Sequence, residues 1–210
     1  ASAQGRERAN SAYDLDFEMN FDNREFYKSA FSESMTIFGA RLTPAVGVTV
    51  RQDRTLTHNL MAGIDIMKDF GDSLSARNLL REVTLYYNME KRFQRNAFSM
   101  YAGIFPRKAM EGRWGQEFFS DSLTFYDNNL EGLLLKLRRP RAYFELGADW
   151  MGLTGEYRRE RFMIFSSGSG RVLPYTDLGY SFYVYHYAGS RKVRGVVDNI
   201  LINPYLNVDL

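Results

Sequence analysis

The sequence predicts an all-β protein, an antiparallel up-and-down transmembrane β-barrel with about ten visible strands. Three observations predict this class. Apolar and polar residues alternate in run after run along the 210 residues. Several of these runs reach ten residues, whereas strands of soluble domains usually have about five or six and a tilted membrane-crossing strand needs about nine to eleven. Short and longer connections between the runs also alternate, as they do in outer-membrane barrels.

The individual strands follow from the alternation, which is clearest in 13–22, where odd positions are apolar and even positions are polar. Because successive side chains of a strand point to opposite faces, this strand has one apolar face. The same pattern predicts strands in 36–51, 56–70, 79–92, 96–107, 141–152 and 199–210, and less regular ones near 130–138, 159–166 and 177–188. About ten strands are predicted, and an even number of strands could close a barrel or form part of a larger one.

Composition excludes several other classes. The aromatic fraction is 15%, and 27 basic residues face 25 acidic ones, so neither disorder nor nucleic-acid binding is indicated. Without cysteine there is no disulfide framework, no lipoprotein anchor and no thiolate metal site. The mean hydropathy of −0.37 would by itself indicate a soluble protein. A barrel, however, exposes only every second residue to lipid, so its average hydropathy stays low.

The chain is expected to divide into a disordered N-terminus, residues 1–11, left after signal cleavage, and a barrel domain, residues 12–210. The small residues Ala1 and Ala3 resemble the end of a secretory signal. The alternation is still in progress at Leu210, and Pro204 interrupts the last strand. A chain truncated at its C-terminus, or a partial barrel within a larger assembly, is therefore expected.

The polar face of the predicted strands mixes small residues with charges of both signs, which is typical of a crowded, wet barrel interior. The residues expected to line the lumen are Arg41, Arg51, Asp65, Glu82, Arg107, Glu145 and Asp149. The longest connection, 108–129, is rich in aromatic residues and is predicted either to narrow the lumen or contact a ligand, or else to pack on the flanking strands. Its candidate contact residues are Arg113, Trp114, Phe118, Phe119 and Tyr126.

No catalytic site, metal site or cofactor is predicted. The two histidines, His58 and His186, are interpreted as interfacial or tyrosine-paired residues. Ser181 precedes His186 by five residues, which places the two side chains on opposite faces of a strand and argues against a serine hydrolase. The glycine-rich stretch Ser167–Gly170 is predicted to be a flexible turn.

Several motifs carry a resemblance to a known family. They are YAGIFPR at 101–107, FSDSLTFY at 119–126, NLEGLL at 129–134, YFELGADW at 143–150 and HYAG at 186–189. In these stretches the chain resembles porin-like outer-membrane β-barrel proteins of Bacteroidetes. The resemblance implies a barrel in the bacterial outer membrane and supplies no catalytic residues.

The predicted function is therefore that of a passive porin-like channel for small solutes or ions, and not that of an enzyme. The expected partners are the lipid bilayer of the outer membrane, small solutes, and a second copy or other proteins of an envelope complex, with no nucleic acid. Two alternatives stay open. One is a non-conducting structural or assembly barrel, and the other is a soluble exported β-sandwich that binds glycans through Trp114 and its neighbours.

Overall fold

A computed structural model describes residues 8–71, 79–190, 192 and 194–209. Within these ranges ten antiparallel strands form one sheet, hydrogen-bonded in the order of the sequence from β1 to β10. The strands are β1 (Arg8–Arg24), β2 (Met35–Arg51), β3 (Leu56–Asp69), β4 (Leu80–Phe93), β5 (Asn96–Pro106), β6 (Asn129–Arg139), β7 (Ala142–Gly152), β8 (Arg161–Leu173), β9 (Thr176–Tyr187) and β10 (Val197–Val208). A 3-10 turn (Arg107–Ala109) and one short helix, α1 (Asp121–Tyr126), lie between β5 and β6.

The predicted all-β class and the up-and-down order are confirmed. The sheet is not closed, because β1 and β10 are its two edges and pair only with β2 and β9. β1 begins at Arg8, inside the stretch 1–11 that was expected to be disordered, while residues 1–7 lie outside the described part. No helix among the described residues is long and apolar enough to cross a membrane.

The connections fall into two groups at opposite ends of the strands. We call one end the turn end, where the connections are 52–55, 94–95, 140–141 and 174–175, and the other the loop end, where they are 25–34, 70–79, 107–128, 153–160 and 188–196. At the turn end, Asp53 accepts hydrogen bonds from the hydroxyl and backbone N–H of Thr55 and from the backbone N–H of Leu56. These bonds, led by the Thr55 hydroxyl, hold the pKa of Asp53 below its ordinary value.

The glycine-rich stretch was assigned wrongly from the sequence. Ser167–Gly170 lies inside β8 rather than in a turn, and the turn to β9 is formed by Pro174 and Tyr175. Tyr175 has a positive φ of 64° there. Gly168 is needed for packing within the strand, because a Cβ at this position would lie 3.0 Å from the Tyr180 ring. With this correction, the alternation of short and long connections extends to β8 and β9.

The two faces of the sheet differ as the alternation requires. One face, the outer face, exposes large apolar side chains along nine of the ten strands, all except β5, such as Val46 at 67% and Ile200 at 63% of their surface. The opposite, inner face holds the buried core. Ala12 of β1 and Leu201 of β10 pack against the same core cluster, so the sheet curls until both edges contact one interior.

Residues 107–128, which we call the inner segment, occupy this interior instead of extending away from the sheet. Phe118 and Phe119 of the inner segment are buried with Phe105 of β5 and Phe165 of β8. α1 begins after Ser120, whose hydroxyl accepts a hydrogen bond from the Leu123 N–H at 3.1 Å. The core is therefore built from sheet and inner segment together.

Candidate functional site

The inner face contains a buried ion pair between β2 and β3. The Arg41 guanidinium donates from Nε and Nη2 to the two carboxylate oxygens of Asp65, both at 2.7 Å. Only 2% of the Arg41 side chain and 1% of the Asp65 side chain are exposed. The Asn129 amide donates to Asp65 at 3.3 Å and to Glu82 at 2.7 Å. These bonds connect β6, which begins at Asn129, and β4, which contains Glu82, to the ion pair.

A second group of charges lies at the loop end of the inner face. Arg107 donates to the backbone carbonyls of Asp127 and Asn129 and, at 3.4 Å, to the carboxylate of Asp149. The other oxygen of Asp149 accepts from the Glu131 N–H at 3.0 Å. These bonds fix the start of the inner segment to its end and to β7.

Glu145 of β7 anchors the middle of the inner segment. Its carboxylate accepts from the backbone N–H groups of Glu111 and Gly112, at 2.7 and 2.8 Å, and from the indole N–H of Trp114 at 3.0 Å. Three donors on one buried carboxylate are a strong, charge-assisted arrangement. The anchor explains why the inner segment folds against the sheet.

Glu111 attaches the inner segment to β6. Its carboxylate accepts from Lys136 at 3.0 Å and also pairs with Arg138. Burial raises the pKa of Glu111, but the hydrogen bonds from Arg138 and Lys136 outweigh it and hold the pKa below its ordinary value. The group is therefore an anionic tether.

The seven residues predicted to line a lumen fall into two environments. Six of them belong to the inner network just described, whereas Arg51 ends β2 and is exposed. Glu145 and Asp149 bond to the inner segment, which begins at Arg107, whereas the hydrogen bonds of Arg41, Asp65 and Glu82 go to residues of the sheet.

The candidate contact residues of the long connection lie within the inner segment. Arg113 stacks over the Tyr205 ring at 5.7 Å, and the Tyr126 hydroxyl donates to Asp69 at 3.1 Å. Trp114 packs edge-on against the buried rings of Phe118 and Phe119, with ring centres 5.3 and 5.1 Å apart. The rings therefore pack on the sheet and on each other, as the alternative interpretation of this connection expected.

The outer face carries a histidine–carboxylate pair near the loop end. His186 of β9 lies opposite Asp198 of β10, and its Nδ1 is 2.6 Å from the Asp198 carboxylate. The side chains are 24% and 51% exposed, so both are accessible. Among the described residues no other group hydrogen-bonds to the ring, which leaves Nε2 available to a substrate or a water molecule.

Aromatic rings hold His186 in this orientation. Phe162 of β8 stacks on the imidazole with ring centres 4.6 Å apart, and Trp150 of β7 stacks on Phe162 at 5.2 Å. The register places Trp150, Phe162, His186 and Asp198 in one row across four strands. We call His186 and Asp198 the outer dyad.

His58, on the same face at the turn end, differs from His186. Its Nδ1 is 2.6 Å from the Tyr87 hydroxyl, and its Nε2 is 3.0 Å from the Gln52 side-chain oxygen. Both nitrogens are occupied by uncharged groups, so this ring is suited to a structural role. The tyrosine-paired interpretation describes His58, whereas His186 is paired with an acid.

The sequence contains a signal for the outer dyad that the two strands show only when they are compared with each other. His186 and Asp198 are polar residues in the apolar parity of their strands, next to Val184 and Ile200. They flank a single loop, so hairpin pairing brings them together. Ser181, by contrast, is on the inner face and donates to the Arg113 carbonyl at 2.7 Å, which keeps it from the dyad as expected.

The described residues contain no cluster of histidine and carboxylate side chains that could hold a metal ion. A dyad in which a carboxylate orients a histidine is suited instead to general acid–base chemistry. The carboxylate favours one tautomer and stabilises the imidazolium that forms when Nε2 takes a proton.

Comparison with protein families gives one match. A family model described as lipid A 3′-O-deacylase-type matches residues 7–203. Comparison with curated proteins and with solved structures finds no match.

The family match corrects two predictions. A passive porin-like channel and the absence of enzymatic activity were both expected, and a match of this length to a deacylase-type family contradicts both. The resemblance had been carried by strand and turn motifs, which are shared by barrels of different function. The match also supports association with the cell envelope.

Proposed function

Because the chain belongs to the lipid A 3′-O-deacylase-type family, we propose that it hydrolyses an acyl ester of lipid A at the bacterial outer membrane. The exposed apolar side chains of the outer face support this location, since a large exposed apolar surface marks a membrane or protein contact. We place acyl chains of the substrate along this face.

The observation that carries the proposal is the position of the outer dyad. His186 and Asp198 are on the face that would contact lipid, close to the loop end, where strands would reach the headgroup region. The pair is partly exposed on this apolar face, with 24% and 51% of its two side chains accessible. Its position is suited to an ester bond at the boundary between acyl chain and headgroup.

The reaction follows from the free ring nitrogen. Nε2 of His186 removes a proton from a water molecule, whose oxygen attacks the ester carbonyl carbon and forms a tetrahedral intermediate. The bond between this carbon and the sugar oxygen then breaks, and the imidazolium gives its proton to the sugar alkoxide that leaves. The products are a fatty acid and a free hydroxyl group. Asp198 stabilises the imidazolium throughout and holds the ring in place.

We assign the nucleophile to water, because the partner that the structure gives the His186 ring is the Asp198 carboxylate. Two residues further along, where a strand would return to the same face, the residue is Ala188. The same observation favours a second function, in which the outer face binds acylated lipid A without cleaving it. Turnover decides between the two.

The test measures release of fatty acid from lipid A in detergent micelles or vesicles by purified, folded protein. The wild-type chain is expected to release one acyl chain, and His186→Gln to be slower by about 100-fold to 10,000-fold, the usual contribution of a general base. His58→Gln is the matched control, because it removes the other outer-face histidine and is expected to retain activity. Absence of release by the wild-type chain would contradict hydrolysis, and retained binding to lipid A would then support the second function.

A further inference from the structure

A pocket of about 590 Å³ lies at the loop end of β7, β8 and β9, beside the outer dyad. We call it the rim pocket. Its lining includes Arg158, Arg159 and Arg161, together with Met151, Leu153 and Tyr187, and no carboxylate side chain. Three guanidinium groups around one opening make a strongly positive site.

The arginines of the rim pocket are held by neutral groups. Arg159 donates to the backbone carbonyls of Ala188 and Gly195, both at 2.9 Å, and stacks over the Tyr187 ring. Arg161 donates to the Met151 carbonyl at 3.1 Å. The nearest acid in sequence, Glu160, accepts from the Thr154 hydroxyl at 3.0 Å. Among the described residues none of the three arginines forms an ion pair.

A pocket at the turn end shows the alternative arrangement. It is also rich in arginine, but Glu111 and Asp177 are part of its lining. Arg138 pairs with Glu111, and Arg171 donates to both oxygens of Asp177 at 2.8 and 3.0 Å. The other arginines of this lining, Arg113, Arg139 and Arg141, form no ion pair among the described residues. The rim pocket differs from it in having no carboxylate side chain in its lining.

The rim pocket is one residue away from the dyad. Arg161 lies opposite Tyr187 in the β8–β9 register, directly beside the Phe162–His186 pair. Because neighbouring residues alternate between faces, Arg161 and Tyr187 point inward, and the pocket lies at the loop end of the inner face, across the sheet end from His186. A lipid whose acyl ester reaches His186 would extend its headgroup over this end.

We propose that the rim pocket binds a phosphate group on the headgroup of the lipid that the outer dyad acts on. The proposal rests on the function proposed above and adds the place on this chain, and the residues, that would hold the headgroup phosphate. Guanidinium groups form paired hydrogen bonds with phosphate oxygens and are well suited to this anion. Arg158 and Arg161 contact the phosphate, and Arg159 positions the loop 188–196 through its two carbonyl bonds.

The test compares phosphorylated lipid A with the same lipid after removal of its phosphate groups. The double variant Arg158→Gln/Arg161→Gln is expected to raise KM for the phosphorylated lipid by about tenfold to 100-fold, the value of one or two charge-assisted hydrogen bonds, with kcat little changed. KM for the dephosphorylated lipid is expected to stay the same. Arg139→Gln/Arg141→Gln, which removes the same charge at the turn end, is the matched control.

A binding measurement separates this proposal from the proposed hydrolysis. His186→Gln protein is mixed with vesicles that contain phosphorylated or dephosphorylated lipid A, and bound protein is recovered by flotation. A preference for the phosphorylated vesicles that is lost when Arg158→Gln and Arg161→Gln are added supports phosphate binding by the rim pocket. This result would hold even if the protein does not hydrolyse the lipid. Equal binding to both vesicles would overturn the proposal, also where hydrolysis is intact.

Inorganic phosphate distinguishes the source of the anion. It is expected to compete with phosphorylated vesicles only at concentrations far above those of the lipid, because the acyl chains add their own binding energy on the outer face. Tight binding of inorganic phosphate without any preference between the two vesicles would assign the pocket to the free ion and overturn the lipid assignment.

Discussion

On the inner face Arg41 is held by Asp65 through two bonds of 2.7 Å, whereas on the outer face His186 uses one nitrogen for Asp198 and leaves the other open. The inner pair is almost fully buried and the outer pair is accessible. The inner pair is thus bonded to itself inside the protein, whereas the outer dyad keeps one ring nitrogen open and is the one suited to react. The difference teaches that abundant charge inside a β-sheet protein is by itself no sign of a transport path.

The largest difference between the two faces is expected in the rate of acyl release, when the carboxylate of the dyad is changed. Asp198→Asn keeps the size of the side chain but removes the charge that stabilises the imidazolium, so acyl release is expected to fall by about 100-fold or more. Initial rates of fatty acid release from lipid A measure it. Tyr87→Phe, which removes a partner of the other histidine, is the control and is expected to leave the rate unchanged. An unchanged rate in Asp198→Asn would remove the dyad from the mechanism.

The fold was predictable because period-two alternation identifies both a strand and its two faces from local sequence alone. It assigned Arg41 and Asp65 to one face correctly, although their pairing needed the β2–β3 register. The inner segment was not predictable in the same way, since its contacts, such as Trp114 with Glu145, join residues 31 positions apart without any period. His186 and Asp198 were overlooked because each was judged within its own strand rather than across the loop that joins them.

The next effect concerns stability rather than rate, and it applies to the inner face. Asp65→Leu leaves the Arg41 guanidinium buried without its partner, which is expected to cost about 3–5 kcal/mol of unfolding free energy. Urea unfolding followed by fluorescence of Trp114 and Trp150 measures the loss. The double variant Arg41→Met/Asp65→Leu is the control and is expected to recover most of it. If Asp198→Asn destabilised the fold as strongly as Asp65→Leu, the contrast between the faces would fail.

A smaller loss of stability is expected where Glu145 anchors the inner segment. Glu145→Gln weakens three bonds by removing their charge, and it is expected to cost about 1.5–3 kcal/mol. Limited proteolysis should then cleave the inner segment near residues 111–114 before the strands. Glu131→Gln, the same substitution on the outer side of β6, is the control, and the protease is expected to cleave it as it cleaves the wild type. Equal protection of both variants would mean that the apolar contacts of Phe118 and Phe119 hold the segment without this anchor.

The smallest effect is expected from the aromatic support of the dyad. Trp150→Leu keeps an apolar side chain but removes the ring that stacks on Phe162, which in turn stacks on His186. Such ring pairs contribute about 0.5–1.5 kcal/mol, which corresponds to a fall in the rate of about twofold to tenfold if the stack orients the imidazole. Phe38→Leu is the control, because Phe38 packs edge-on against Phe70 at the loop end of the outer face, away from the dyad. A rate that falls equally in both variants would attribute the effect to contact with lipid, and a fall confined to Trp150→Leu would show that orientation of His186 distinguishes this part of the outer face.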